Sequence, residues 1–223
     1  MLIAIEGIDG AGKGTVAAGL AEHLGAAGHP VRLISFPRYQ ETAAGRMIGG
    51  LLGVRDGDID RMSVEFLAAL FAEDRRQSAD LLAAQSPDEI LICDRFTASN
   101  AAFQCGRLPP ERHADFIAWL EDLEFARFGT RRPDLNIWLD VPPRVSRGLV
   151  ARKAKRSYTE DTHDANEANA ELQDRASAAY RLMTENGAMG AWARVEVAPG
   201  DVLRSIEDIR AEAITIVKHR LSA

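Results

Sequence analysis

Short, continuous apolar runs recur along the chain at residues 2–5, 31–36, 90–93, 135–139 and 195–197. Each has strand length, and such short runs suit strands buried on both faces. Between them, apolar positions three and four apart predict helices over residues 15–27, 43–52, 62–84, 110–127, 144–152, 167–185 and 205–219. Strands alternating with helices predict an α/β fold, a five-stranded parallel sheet flanked by helices on both faces. Ligands of such sheets collect beyond the carboxyl ends of the strands. That directs attention to residues 6–15, 36–39 and 94–100. No internal repeat, low-complexity tract or linker interrupts the pattern, so residues 1–223 are expected to form one domain.

The first of these strand ends carries Gly7-Ile8-Asp9-Gly10-Ala11-Gly12-Lys13-Gly14-Thr15. A polyphosphate needs a concave set of backbone N–H donors, and glycines let the backbone come close enough to supply it. The helix that follows aims the positive end of its dipole at the same anion. Lys13 adds a mobile positive charge among the outer phosphates, as in the phosphate-binding loops of ATP-using enzymes. Gly14 stands where many such loops place the Ser or Thr that touches Mg2+, and Thr15 follows one place later. The magnesium would then be held mainly through water and carboxylates.

Composition narrows the class. The chain has 223 residues, 46% hydrophobic and 27% charged, enough for one sizeable core. A net charge of -6 argues against nucleic-acid binding. Cys93 and Cys105 show no pairing pattern, which favours a reducing, cytoplasmic setting. The N-terminus starts a strand at once, with no signal-peptide pattern, and no apolar stretch approaches the ~18 residues of a membrane span.

Further constellations stand at the other strand ends. Asp94-Arg95 closes the third strand; the acid can order a magnesium ion or its waters, and the guanidinium can grip phosphate oxygens. Phe36-Pro37-Arg38-Tyr39 offers an aromatic wall and a cation. Phe71 and Arg75 share a helix face, a spacing that by itself suits ordinary core with a snorkelling arginine. The basic cluster Arg152, Lys153, Lys155, Arg156 leads into the polar stretch 157–166. It suits either a solvated helix face or a lid, over about 150–166, whose cations close over transferring phosphates. His163 among loop acids suits simple solvation.

In combination these motifs resemble the thymidylate kinase family from Met1 to about Tyr180. The resemblance rests on GIDGAGKGT, FPRY followed by Thr42, Gly45 and Ile48, DRFTASNAAFQ at 94–104 and EFARFG at 124–129. It extends to Pro133-Asp134-Leu135, Leu139-Asp140-Val141, and the basic lid leading to Asp164 and Glu167. It implies a P-loop nucleoside monophosphate kinase with a short mobile lid. The implied reaction passes the γ-phosphoryl of ATP to dTMP, with Mg2+, in a homodimer. Gly7, Ile8, Asp9, Gly10, Ala11, Gly12, Lys13, Gly14 and Thr15 would hold ATP. Arg95 would clamp the acceptor phosphate, with Arg38 as helper and Phe36 in the wall. Phe71 would stack on thymine, reversing the core reading, and Arg75 would donate to a base oxygen. Ser99 and Asn100 would line the base edge, with Phe103 and Gln104 beside the sugar. Asp9, Asp94 and Glu167 would serve the metal, and the lid cations Arg152 and Arg156 the transferred phosphoryl. The adenine would lie near residues 198–201.

Three positions depart from the family pattern. Gly14 replaces a basic residue of some relatives, which shifts that role to the lid. Asn166 stands where an aromatic often covers the acceptor. Phe103 replaces a tyrosine, removing a hydroxyl near the sugar 2′ carbon. The alternatives left open are a kinase for other nucleoside monophosphates, a nucleoside kinase, and a nucleotide-dependent switch. The switch lacks the Asn-Lys-x-Asp guanine signal of GTPases, and a nucleoside kinase would leave the acceptor-side arginines unexplained.

Overall fold

The computed structural model describes residues 1–53, 59–154 and 163–222; the side chains of residues 60, 151–154 and 163–169 are outside that description. The chain runs β1 (Leu2–Glu6), α1 (Lys13–Ala26), β2 (Val31–Ser35), α2 (Ala43–Gly53), α3 (Val64–Arg76), α4 (Ala79–Ala83), β3 (Ile90–Asp94) and α5 (Thr97–Cys105). It continues through α6 (His113–Glu121), β4 (Leu135–Asp140), α7 (Pro143–Ala154), α8 (His163–Asn186), β5 (Trp192–Glu196) and α9 (Ile206–Leu221). The five strands form one parallel sheet in the order β2-β3-β1-β4-β5. Because β1 sits at the centre, with β3 on one side and β4 on the other, the strand order reverses at its tip. A crevice opens at such a point.

Side-chain alternation splits β1 between two cores. Ile3 and Ile5 join the larger cluster with Leu20 of α1, Ala101 of α5, Tyr180 of α8 and Val217 of α9. Leu2 and Ala4 join a smaller one with Leu91, Cys93, Phe96 and Leu82 of α4. Both cysteines are free and buried; desolvation pushes the Cys93 thiol up strongly and Cys105 up to about 12. Such thiols are inert.

The sequence pattern missed or merged several elements. A single helix over 62–84 becomes α3 and α4, broken at Gln77 and Ser78. The Ser78 hydroxyl donates to the Asp74 carbonyl at 2.9 Å, a local bond that competes with regular helix geometry. The helix expected over 110–127 divides into a 3-10 turn (Pro110–Arg112), α6 and a π-helical turn (Asp122–Arg127). Helix α5 had no counterpart in the pattern, because it is buried nearly all round and shows no amphipathic contrast.

Candidate active site

The loop between β1 and α1 is shaped by backbone that only glycine adopts without strain. Gly7 has φ +144°, and a Cβ there would lie 2.8 Å from the Leu139 carbonyl oxygen. Gly10 has φ +80° and the same conflict with the Ser146 carbonyl oxygen at 2.9 Å. Gly12, at φ 88°, is the N-cap of α1 and offers no side chain to its orphan amides. Those amides are left for an anion. Lys13 is 7% exposed, and its Nζ donates to the Ile8 carbonyl at 2.8 Å. Burial, then the neighbouring Arg95 charge, lowers its pKa to about 7; Asp9, Asp94 and Glu6 oppose the shift. Asp94 at the tip of β3 lies beside the loop, since a Cβ on Gly14 would sit 3.0 Å from its Oδ2.

Arg95 follows at the end of β3 with φ 66°, its amide donating to the Ile5 carbonyl at 3.1 Å. Its guanidinium pairs with Asp9, donates to the Gly7 carbonyl and Ser99 hydroxyl at 3.4 Å each, and lies 5.1 Å above the Phe103 ring. Asp9 is held from its other side by Gln173 of α8. The Asp9 amide donates to Gln173 Oε1 at 2.9 Å, and Gln173 Nε2 donates to Asp9 Oδ2 at 2.7 Å. Beneath them Glu6 is fully buried. It accepts from the Phe96 amide at 2.9 Å, the Tyr180 hydroxyl at 3.0 Å and the Ser99 hydroxyl. Burial raises its pKa, while these bonds and Arg95 pull it back.

Next to Arg95 a cavity of about 260 Å3 opens, lined by Asp9, Phe36, Phe71, Arg75, Arg95, Ser99, Asn100, Phe103 and Gln104. All were predicted from the sequence. Arg38 is the exception on that side. Its amide donates to Asp74 Oδ2 at 2.9 Å and its Nη1 reaches Ser78 Oγ at 3.3 Å, so it lines a neighbouring groove with Arg32 and Leu81 instead. Phe71 packs beside a small apolar cluster of Ala44, Ile48 and Leu70 and still reaches the cavity. Arg75, 2% exposed, is not snorkelling; it forms an ion pair with the fully buried Glu124 of the π turn. Losing either partner would strand a buried charge, at a cost of roughly 3–5 kcal/mol.

The polar floor is unusual. Asn100 and Gln104 are each 4% exposed. Asn100 Nδ2 donates to the Ala68 carbonyl at 2.9 Å, which fixes the amide orientation, yet among the described residues Asn100 Oδ1 has no partner and neither has Gln104 Oε1. Buried acceptors without donors are costly unless something fills the cavity with matching hydrogens.

Lining residues absent from the sequence-derived set include Tyr39, Leu52, Ile59, Arg107 and Leu172. Tyr39 stood in a noted motif; the others carry no local signal. Glu124 did carry one, for it falls on the core-facing stripe set by Ile117 and Leu120. A carboxylate on such a stripe demands a partner. Of the lid residues, Arg156 and the stretch 155–162 lie outside the described residues, as do the side chains of Arg152, Lys153, His163, Asp164, Asn166 and Glu167. Among the described residues no group of three metal-binding side chains occurs. Asp9 lies in the loop, and Asp94 lies beside it at Gly14.

A glycine loop feeding a helix from the central strand, a buried lysine across it, and an arginine-walled cavity at the switch point define a P-loop α/β phosphotransferase. A family model described as thymidylate kinase matches residues 5–189. The thymidylate kinase of Mycobacterium tuberculosis is 37% identical over 207 residues, covering 90% of this chain and 94% of that protein. A probable thymidylate kinase of Thermococcus onnurineus is 35% identical over 99% of this chain and 98% of its own length. The thymidylate kinase of Ruegeria pomeroyi is 30% identical over 100% and 96%. The chain belongs to the thymidylate kinase family.

Proposed function

We propose that the protein transfers the γ-phosphoryl group of ATP to the 5′-phosphate of dTMP, giving dTDP and ADP. The observation that carries this is the hydrogen-bond pattern of the cavity beside the phosphate loop. Asn100 Oδ1 and Gln104 Oε1 wait for donors, and Arg75 supplies a donor at the same wall. A thymine edge offers a C4 carbonyl to Arg75 and an N3–H to Asn100, while the sugar 3′-hydroxyl suits Gln104. Phe71 stacks on the ring and Phe36 closes the wall. A cytosine would present an amino group and a bare N3 instead, the reverse pattern.

Phosphoryl transfer needs little covalent help; it needs two anions in line and their repulsion offset. The amides of residues 7–15 and Lys13 hold the ATP phosphates. Arg95, set at the strand tip and steadied by Asp9, grips the acceptor phosphate, and Phe103 packs under it beside the sugar. No general base is required, because the attacking atom is already a phosphate oxygen. Arg152 and Arg156 from the lid complete the charge over the moving group and exclude water. Arg38, with one nitrogen on Ser78, keeps other donors with which to assist.

Mg2+ suits this donor set. It keeps several waters and takes only one or two carboxylates besides phosphate oxygens, and Asp9 and Asp94 flank the loop, with Glu167 as the third acid. When bound it would offset charge on the ATP phosphates. The chain works as one domain over residues 1–223 and as a homodimer. Exposed Met47 on α2 and Phe66 on α3 suit that contact. No helix among the described residues is long and apolar enough to cross a membrane, and we place the enzyme in the cytoplasm.

The test is ADP release with ATP, Mg2+ and a panel of dTMP, dUMP, dCMP, UMP, AMP and thymidine. Strong preference for dTMP is expected. Turnover spread over ribonucleotides would mean that Phe103 and Asn166 have loosened the site, and no turnover with any acceptor would overturn the proposal.

A further inference from the structure

The ion pair behind the base wall is more than a structural tie. Arg75 Nε donates to Glu124 Oε1 at 2.9 Å and to Oε2 at 3.1 Å, and Nη2 pairs with Oε1. This is the side-on arrangement of a guanidinium fork. It occupies two of the three nitrogens and leaves Nη1 without a hydrogen bond among the described residues. Glu124 is itself locked: the Thr130 hydroxyl donates to its Oε2 at 3.1 Å, and the Thr130 amide to its main-chain carbonyl at 2.8 Å. A π-helical turn at Asp122–Arg127 holds the carboxylate inward, and such turns mark functional positions. Phe96 faces the same guanidinium, 5.9 Å from its ring centre.

We propose that Glu124 is a positioning residue that sets base selectivity: by engaging Nε and Nη2 of Arg75, it leaves Nη1 as the Arg75 nitrogen that meets the base. The inference rests on the proposed dTMP kinase reading. An arginine held this way cannot rotate to present another nitrogen or withdraw from the cavity. It therefore rewards a carbonyl at the base C4 position and penalises an amino group there. A contact at C4 does not read the 5-methyl group, and ATP is held at the loop instead. Thr130 supports the same geometry one step further out.

The test is the dissociation constants of dTMP, dUMP, dCMP and ATP, by calorimetry, for the full-length wild type, Glu124→Gln and Thr130→Val. For Glu124→Gln, the preference for dTMP over dCMP should fall by about tenfold or more, the scale of one lost directed hydrogen bond. The dTMP/dUMP ratio and ATP affinity should stay within about twofold, and kcat with saturating dTMP should move less than KM. Thr130→Val, which keeps the Arg75–Glu124 charges, should shift the same ratio in the same direction by about two- to threefold. An unchanged dTMP/dCMP ratio in the folded variants, or equal losses for all three acceptors, would overturn the inference. If the wild type itself shows no preference for dTMP over dCMP, the acceptor reading fails first, and that outcome is visible before any variant is made.

Discussion

The phosphate-loop and cavity sides of the crevice are built from different materials. On the loop side the surface is backbone: Gly7, Gly10 and Gly12 stand at positive φ within one short segment. On the cavity side it is side chain. Phe71 and Arg75 come from α3, Asn100 and Gln104 from α5, and Glu124, behind the wall, from the π turn. A cradle for phosphate can be local because every amide is alike. A pocket for one base must place distinct donors and acceptors, and these come from distant parts of the chain.

The largest expected effects test where the two sides meet. Lys13→Ala and Arg95→Ala should each lower kcat by at least about 100-fold, the scale for removing one preorganised charge or donor at a developing anion. Unchanged circular dichroism would show that the fold persists. Rates near wild type in either variant would mean that the loop and cavity are not arranged around one reaction.

The same contrast explains what could be read from the sequence. The donor loop, its strand and its helix are contiguous, so motif and periodicity together locate them. The cavity residues Phe71, Asn100 and Gln104 were reached through resemblance, whereas Phe36 stood in a strand-end motif; by spacing alone Phe71 would have been ordinary core. Helix α5 went unseen because Ala98, Ala101, Ala102 and Cys105 are as buried as Thr97 and Asn100, so no polar face marks the helical period. The Gln173 clamp on Asp9 joins residues 164 positions apart, and no local signal encodes such a pair. Arg38 shows the converse: its motif is legible in the sequence, but the contact its Nη1 makes to Ser78 is not.

A smaller effect isolates the donor side. Burial and the neighbouring Arg95 lower the Lys13 pKa to about 7, and an arriving polyphosphate favours its charged form. Its pKa is therefore higher in the complex than in the free protein, and binding takes up a proton above about pH 7. ATP affinity should fall as pH rises from 7 to 9, by at most about tenfold per pH unit. Lys13→Arg, charged throughout that range, should remove this slope even if binding is weaker overall. Calorimetric titration of ATP across the range checks both, and a flat wild-type profile would refute the assignment. Acceptor affinity, resting on groups other than Lys13, should lack this component.

The smallest effect concerns glycines outside the phosphate loop, where one helix holds two opposite cases. In α2, a Cβ on Gly45 would come within 1.9 Å of the Arg38 carbonyl oxygen. The amide of Gly45 also donates to the Thr42 hydroxyl at 2.8 Å, and Thr42 in turn bonds Asp74 beside Arg75. That glycine is required by contact rather than by φ. Gly50, five residues on, has nothing within 4 Å of an added Cβ and is exposed. Gly50→Ala should therefore stabilise the protein by roughly 0.5–1 kcal/mol, the usual gain when alanine replaces glycine at a helix position it can occupy. Thermal or urea unfolding reads the shift, with kcat and both substrate affinities unchanged. A loss of stability instead would show that α2 depends on its glycines along its whole length, and that the acceptor wall borrows backbone freedom as the donor loop does.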